Sequence, residues 1–174
     1  MCLERITKRN PDHQSLKRAG FKLEHSEELG HYFVGYRTKD TLNGHVAYEV
    51  GRDYHADRYA ADGIAEDIKD EVGEEVAIQA ANALMSIGHK CLSYCLCAND
   101  GQIHESGFFL FKSKKNLEGW LHLSHRPMVK VAFYDAHVIG KQLTGMLIVR
   151  NNGCLKSQEY TVAVVPWMRV LKEL

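Results

Sequence analysis

Charge of one sign is what this sequence most clearly lacks: 22 basic residues face 22 acidic ones. Binding to nucleic acid draws on a concentrated basic surface that releases counterions, so nucleic acid is not the expected partner. The local exception is the N-terminal segment with Lys8, Arg9, Lys17, Arg18 and Lys22. No apolar run approaches the roughly 18 residues that a membrane helix needs, and the first twenty residues lack the apolar stretch of a secretory leader. The five cysteines (Cys2, Cys91, Cys95, Cys97 and Cys154) are odd in number and follow no framework spacing. Free thiols in a reducing cytoplasm are therefore expected, with no membrane partner. The phosphate-loop and dinucleotide glycine motifs are missing, as are His-Glu-x-x-His and Gly-x-Ser-x-Gly. No cofactor is expected.

What is present describes a globular chain. With 174 residues it is expected to form a single α+β domain that folds without disulfides. Residues 31–37 are aromatic and β-branched, Asn43-Gly44 is a turn signal, and Val46, Tyr48 and Val50 alternate. A β-hairpin over residues 31–50 follows. Val76, Ala80, Ala83, Leu84 and Ile87 recur at helical spacing, which predicts a helix over 74–87 with that stripe inward. It extends upstream toward Ile64 with a break at Gly73. Ile6 suits a short edge strand, and 91–97, 108–112 and 128–134 read as further strands. The apolar runs 144–149 and 160–165 suit strands buried on both faces. Ser113 is a good cap for a short helix through Leu121. The sum is a mostly antiparallel sheet with one long and one short helix.

Three groups of residues carry chemistry. His89, Cys91, Cys95, Cys97 and His104 include zinc-ligand types, but ligands along one extended strand spread over roughly 20 Å at about 3.3 Å per residue. Buried cysteines packing as small hydrophobes is the simpler reading, and no metal is assigned. His122-Leu123-Ser124 matches one half of a two-histidine phosphoesterase element, while His104-Glu105-Ser106 is a poor second half. The third group is aromatic and cationic: Tyr32, Tyr36, Arg37, Tyr48, Arg52, Tyr54, His55, Arg58 and Tyr59 lie within 28 residues. Arginine grips phosphate through paired hydrogen bonds, and aromatic rings stack on bases. Tyr48, Arg52 and Tyr54 share one face if a strand runs unbroken through Gly51. The alternative is a tyrosine-rich hairpin that covers the core.

The order of several segments resembles small uncharacterised proteins of tailed bacteriophages. These are Met1-Cys2-Leu3 with Ile6-Thr7-Lys8-Arg9, then Gly35-Tyr36-Arg37, Tyr48-Glu49-Val50-Gly51-x-x-Tyr54 and Ser106-Gly107-Phe108-Phe109-x-Phe111. A short helix with Leu117 and Trp120 follows, then Val129-Lys130-Val131, Gly140-Lys141-Gln142 and Val162-Ala163-Val164, with Met168–Glu173 closing the pattern. Residues 60–100 look like a helical insertion. Phe109 stands where those proteins usually carry histidine, so no role of that histidine is carried over. The same order is similar to the core of ADP-ribosyltransferase domains. That likeness implies Arg37, the Phe108–Phe111 region and Glu159 as counterparts of the groups that hold NAD, without the polar central residue.

Three readings follow. One is a non-enzymatic phage accessory protein, acting in the host cytoplasm, that sequesters a nucleotide-derived immune signal. Its ligand-binding residues are expected to be Tyr36, Arg37, Tyr48, Arg52, Tyr54, His55, Arg58, His104, Phe108 and Trp120. The second is a nucleotide-processing enzyme of the ADP-ribosyltransferase type. The third is a protein-binding inhibitor of a host enzyme that uses the helix of residues 64–88. A homo-oligomer is compatible with all three.

Overall fold

The computed structural model describes residues 3–39, 47–56, 69–86, 94–96, 102–105, 107–121, 126–143, 148–149, 155–156 and 158–174. In chain order the elements are β1 (Arg5–Arg9), α1 (His13–Ala19), β2 (Lys22–Ser26), β3 (Gly30–Thr38), β4 (Asp53–His55), α2 (Glu74–Ser86), β5 (Tyr94–Leu96) and β6 (Ile103–Glu105). Then come β7 (Phe108–Phe111), α3 (Lys114–Leu121), β8 (Met128–Phe133), β9 (Val138–Leu143), β10 (Ile148–Val149), β11 (Leu155–Lys156), β12 (Glu159–Val165) and β13 (Trp167–Glu173). Nine strands form one sheet in the order β1-β9-β12-β7-β3-β8-β13-β4, with β2 also paired to β3. Every pairing is antiparallel. The class is α+β with a mostly antiparallel sheet. Among the described residues no helix is long and apolar enough to cross a membrane.

Alternation along the strands divides the core between two faces. On one, Phe108 and Leu110 of β7, Phe33 of β3, Val129, Val131 and Phe133 of β8, and Met168 and Val170 of β13 pack with Leu16 of α1 and with Phe21. On the other, Phe109 and Phe111, Tyr160, Val162 and Val164 pack under Leu117 and Trp120 of α3. β12 therefore contributes to both cores, which is why its sequence is an unbroken apolar run rather than an alternating one.

The helix ends have local causes. Asp12 caps α1 by accepting from the Ser15 N–H at 2.8 Å, and Gly20 closes the helix in the left-handed region at φ 96°. Hydrogen bonds from Ser15, through its side chain and then its backbone, hold the Asp12 carboxyl below its ordinary range. Ser113 caps α3 by accepting the Asn116 N–H at 3.2 Å.

β3 forms a hairpin with β2, with Lys22 opposite Val34 and Ser26 opposite Gly30. On its other side β3 pairs with the distant β8. Of the expected hairpin over 31–50, residues 40–46 lie outside the described residues, and the Tyr48 N–H donates to the Lys39 carbonyl on either side of them. Two expectations are corrected. The first is the continuous strand through Gly51, which is absent. The Arg52 N–H reaches back to the Glu49 carbonyl at 3.3 Å, and Gly51 takes φ 80°. That is a reverse turn, which needs a positive φ and is why glycine stands there. The second correction concerns the orientation of α2. Its start and the break at Gly73 are as expected, but among its described side chains Ala77 is fully buried while Val76 is 53% and Ile78 48% exposed. Ala80 is half-buried and Ala83 exposed; Ile87, Gly88 and the upstream segment 57–68 lie outside the described residues.

Strand contact also explains the motif glycines. A Cβ on Gly107 would stand 2.5 Å from the Val165 carbonyl oxygen, one on Gly35 2.8 Å from Leu110 Cβ, and one on Gly140 2.7 Å from the Arg5 carbonyl oxygen. At positions 107 and 140 the obstacle includes backbone, which cannot rotate away. Gly107→Ala should therefore cost about 1–3 kcal/mol in urea unfolding by forcing β7 off β12. An unchanged midpoint and slope would show that the two strands yield freely.

Candidate functional site

The strongest clustering of expected residues lies at one end of the α1-side face. Arg37 follows Phe33 and Gly35 on that side of β3, so its long side chain runs over the core. Its guanidinium carbon sits 4.2 Å from the centroid of the Tyr48 ring and 5.3 Å from that of Phe108. Nη1 of Arg37 also donates to Met168 Sδ at 3.8 Å. The Tyr48 ring meets Tyr54 edge-on at 4.9 Å and Phe108 at 6.2 Å. Arg52 stands over the outer side of Tyr54 at 5.6 Å. The result is a ladder in which the rings of Tyr54, Tyr48 and Phe108 meet edge-on in series, with Arg52 against Tyr54 and Arg37 against Tyr48 and Phe108. Each contact of a cation with a ring is worth about 0.5–2 kcal/mol, more where water is excluded.

The backbone holds this ladder from several sides. The Tyr48 N–H donates to the Lys39 carbonyl at 2.6 Å, just beyond the end of β3. The Gly51 N–H donates to the Val170 carbonyl at 2.8 Å, and the Val170 N–H returns to the Arg52 carbonyl at 3.2 Å. β4 pairs with β13, placing Tyr54 opposite Met168. The Tyr54 hydroxyl accepts the Glu49 N–H at 2.8 Å, so the turn is stitched to its own strand. Asp53, on the other face of β4, pairs with Arg169 Nε at 2.8 Å, and Arg169 also pairs with Glu28. These carboxylates, Glu28 first, hold the Arg169 guanidinium even more firmly protonated than usual.

Burial sorts the expected residues by role. Tyr48 and Phe108 are buried, so they present no stacking face to a ligand and serve to hold Arg37. Arg37 and Tyr54 are half-buried, while Arg52 is exposed and engaged by Glu49 at 3.3 Å. Three expected residues stand elsewhere. Tyr36 faces the α3 side of β3, where Trp120 donates Nε1–H to the Leu143 carbonyl at 3.1 Å and lies against Phe111. His55 is exposed on the opposite face of β4 from Tyr54 and pairs in register with Trp167. Arg58 lies outside the described residues, as do Tyr59, His89, Cys91, Cys97 and the His122-Leu123-Ser124 element. His104 is placed through its backbone alone, in β6 directly opposite Cys95 of β5. Among the described residues no group of three His, Cys, Asp or Glu could hold a metal.

Sequence reasoning missed Met168, Lys39 and Glu49 as parts of this arrangement. The two backbone carbonyl contacts that seat the turn carry no sequence signal at all. Met168 was legible only as the apolar, inward position of a strand that the sequence reading did not assign.

The arrangement offers a half-buried arginine with aromatic support and a second, exposed arginine at the rim. That is chemistry for holding an anion beside a flat ring. Among the described residues it brings no nucleophile and base into contact. Glu159, the acidic group suggested by the transferase likeness, is exposed and paired with Arg5 at 2.8 Å. It stands two strands from β3 and four residues along from the Arg37 row, roughly 16 Å away by strand geometry. Comparison with family models, with curated proteins and with solved structures returned no match.

Proposed function

We propose that this chain is a non-enzymatic binding protein that takes up and sequesters a small nucleotide-derived signalling molecule. It acts as a phage accessory protein that blunts a host defence in the host cytoplasm. The observation that carries the binding reading is the Arg37 guanidinium held over the perpendicular rings of Tyr48 and Phe108, with Arg52 and Tyr54 beside it. A phosphate would be gripped by Arg37 and Arg52, and a base or ribose would lie along Tyr54. The phage setting rests on the order of the sequence segments, whose glycines and aromatics the strand contacts employ. Sequestration rather than turnover is supported by Phe109, which occupies the usual histidine position and faces the α3 side, away from Arg37.

The test begins with protein purified from cells and denatured, and with mass spectrometry of the small molecules released. A nucleotide-derived anion recovered intact and in near-stoichiometric amount is expected. Calorimetry of ligand-free protein against cyclic nucleotides and ADP-ribose derivatives follows. Absence of both released ligand and binding heat removes the reading. Turnover of NAD that falls in Glu159→Gln would instead establish the enzyme.

A second reading has its own observation. Val72, Val76 and Ile78 are 44%, 53% and 48% exposed beside the exposed acidic residues Asp70, Glu71, Glu74 and Glu75. A surface helix that keeps apolar residues in water is suited to contact with a partner protein. This is the surface through which the chain would inhibit a host enzyme. Val76→Lys together with Ile78→Lys separates the readings, because it should abolish a protein contact and leave nucleotide binding intact.

A further inference from the structure

A pair of histidines far from the arginine ladder carries a separate inference. His25 of β2 and His31 of β3 are direct register partners, so their side chains leave the sheet on the same side. Their rings are 4.7 Å apart between centroids and tilted by 58°. Both residues are exposed. We propose that His25 and His31 form a two-histidine site for a divalent transition-metal ion of the nickel, copper or zinc class.

The chemistry is that of a chelate. Neutral imidazole is a good ligand for these three ions. Two imidazole nitrogens on one ion, each about 2.0–2.1 Å from it, lie about 3 Å apart. Rings already facing one another reach that spacing by rotation about their side-chain bonds, without moving the backbone. The hairpin fixes the pair in advance. Ser26 Oγ accepts the Leu29 N–H at 3.1 Å inside the turn, and Gly30 enters β3 at φ 65°. Behind the turn five successive residue pairs run in unbroken register from Lys22/Val34 to Ser26/Gly30. A preorganised pair binds with less loss of freedom than two separate side chains.

The neighbouring residues define the limits of the site. Phe33, next on the same side of β3, is met edge-on at 5.3 Å by His13 of α1, which is thereby occupied in packing. Glu24 and Tyr32 leave the hairpin on the opposite face, where Glu24 pairs with Lys130 at 2.7 Å. No third His, Cys, Asp or Glu among the described residues completes a cluster. The ion would therefore keep water at its remaining positions. It would be open to an incoming ligand and would exchange readily, unlike a closed structural site.

Untagged protein, stripped with chelator, is titrated with NiCl2 and separately with CuCl2 by calorimetry. One ion per chain is expected at the strongest site. His25→Gln and His31→Gln should each weaken it at least tenfold, while His13→Gln should leave it unchanged. The copper-loaded wild type should show electron-paramagnetic coupling to two ring nitrogens, a reading that needs no variant and stands if one fails to fold. Wild type that binds neither ion overturns the site. So does metal binding undiminished in both variants, which would assign the ion to other histidines of the ten in the chain. Nucleotide binding plays no part in these readouts.

Discussion

Phe133→Ala is expected to lower stability by about 3–5 kcal/mol, the range found when a large buried ring is removed and its neighbours close in only partly. Phe133 is fully buried and links three elements. Its ring meets Phe21, just after α1, edge-on at 5.5 Å, and lies tilted against Phe33 of β3 at 5.7 Å. β3 and β8 are adjacent central strands, with Phe33 and Phe133 direct partners. The helix α1 reaches the sheet through Leu16 and Phe21. Truncating Phe133 leaves a void beneath that contact, and strand backbones joined by a ladder of hydrogen bonds cannot collapse to fill it. For a chain of this size the melting temperature should fall by roughly 6–20 °C. A domain stable by about 5–15 kcal/mol would lose a large share of its margin. Phe133→Leu should recover more than half of the loss. A loss below about 1 kcal/mol for the alanine variant would show that α1 does not depend on this ring.

The parts of the fold that were legible in the sequence are those with a local cause. β12 announced itself as an apolar run because both of its faces are covered, β8 as an alternation, α3 through the Ser113 cap, and β1 as an edge strand. β2, β9 and β13 were not legible. In β13 a bulge between Val170 and Lys172 breaks the alternation. In β9 the run ends in Gly140, Lys141 and Gln142, whose place in the sheet is set by partners on β1 and β12 rather than by their own propensity. β2 is polar apart from Leu23 and is held by its pairing to β3. Such strands owe their existence to distant residues, and that information is spread over the whole chain.

For the candidate site the outcome divides similarly. Composition pointed to arginines and tyrosines in residues 32–59, and five of the ten expected residues do converge: Arg37, Tyr48, Arg52 and Tyr54 from that stretch, with Phe108. Residues close in the sequence do not all share one face. Tyr36 and Arg37 are adjacent and therefore point to opposite sides of β3. Tyr54 and His55 part in the same way on β4. Tyr48 and Tyr54 meet because a turn at Gly51 folds one toward the other, whereas a strand would have carried them apart. The recognisable glycines proved to mark close approaches between backbones. A motif can be legible because the fold needs it, with the chemistry carried by the residue beside it.

The proposed anion contact centres on Arg37, and its replacement is the sharpest functional expectation. Arg37→Met should weaken binding of an anionic nucleotide-type ligand by roughly 10–150-fold, the equivalent of one charge-assisted contact worth about 1.5–3 kcal/mol. Methionine keeps much of the length and the apolar contact with Tyr48, Phe108 and Met168, so the variant should stay folded. What it gives up in stability is the attraction of the cation for the rings, about 0.5–2 kcal/mol. Arg37→Lys should recover charge without the planar paired grip and fall between the two in affinity. Arg52→Met, at the exposed rim, should cost less than Arg37→Met, because charge interactions in water are weaker. Tyr48→Phe tests the support directly: the ring remains beneath Arg37, so binding should change little, whereas Tyr48→Ala should lose affinity and stability together. The order of affinities across the series, wild type above Arg37→Lys above Arg37→Met, is the measurable signature of a guanidinium that grips a phosphate. Equal affinity of wild type and Arg37→Met for the ligand recovered from cells would remove Arg37 from the site and leave the ladder as packing alone.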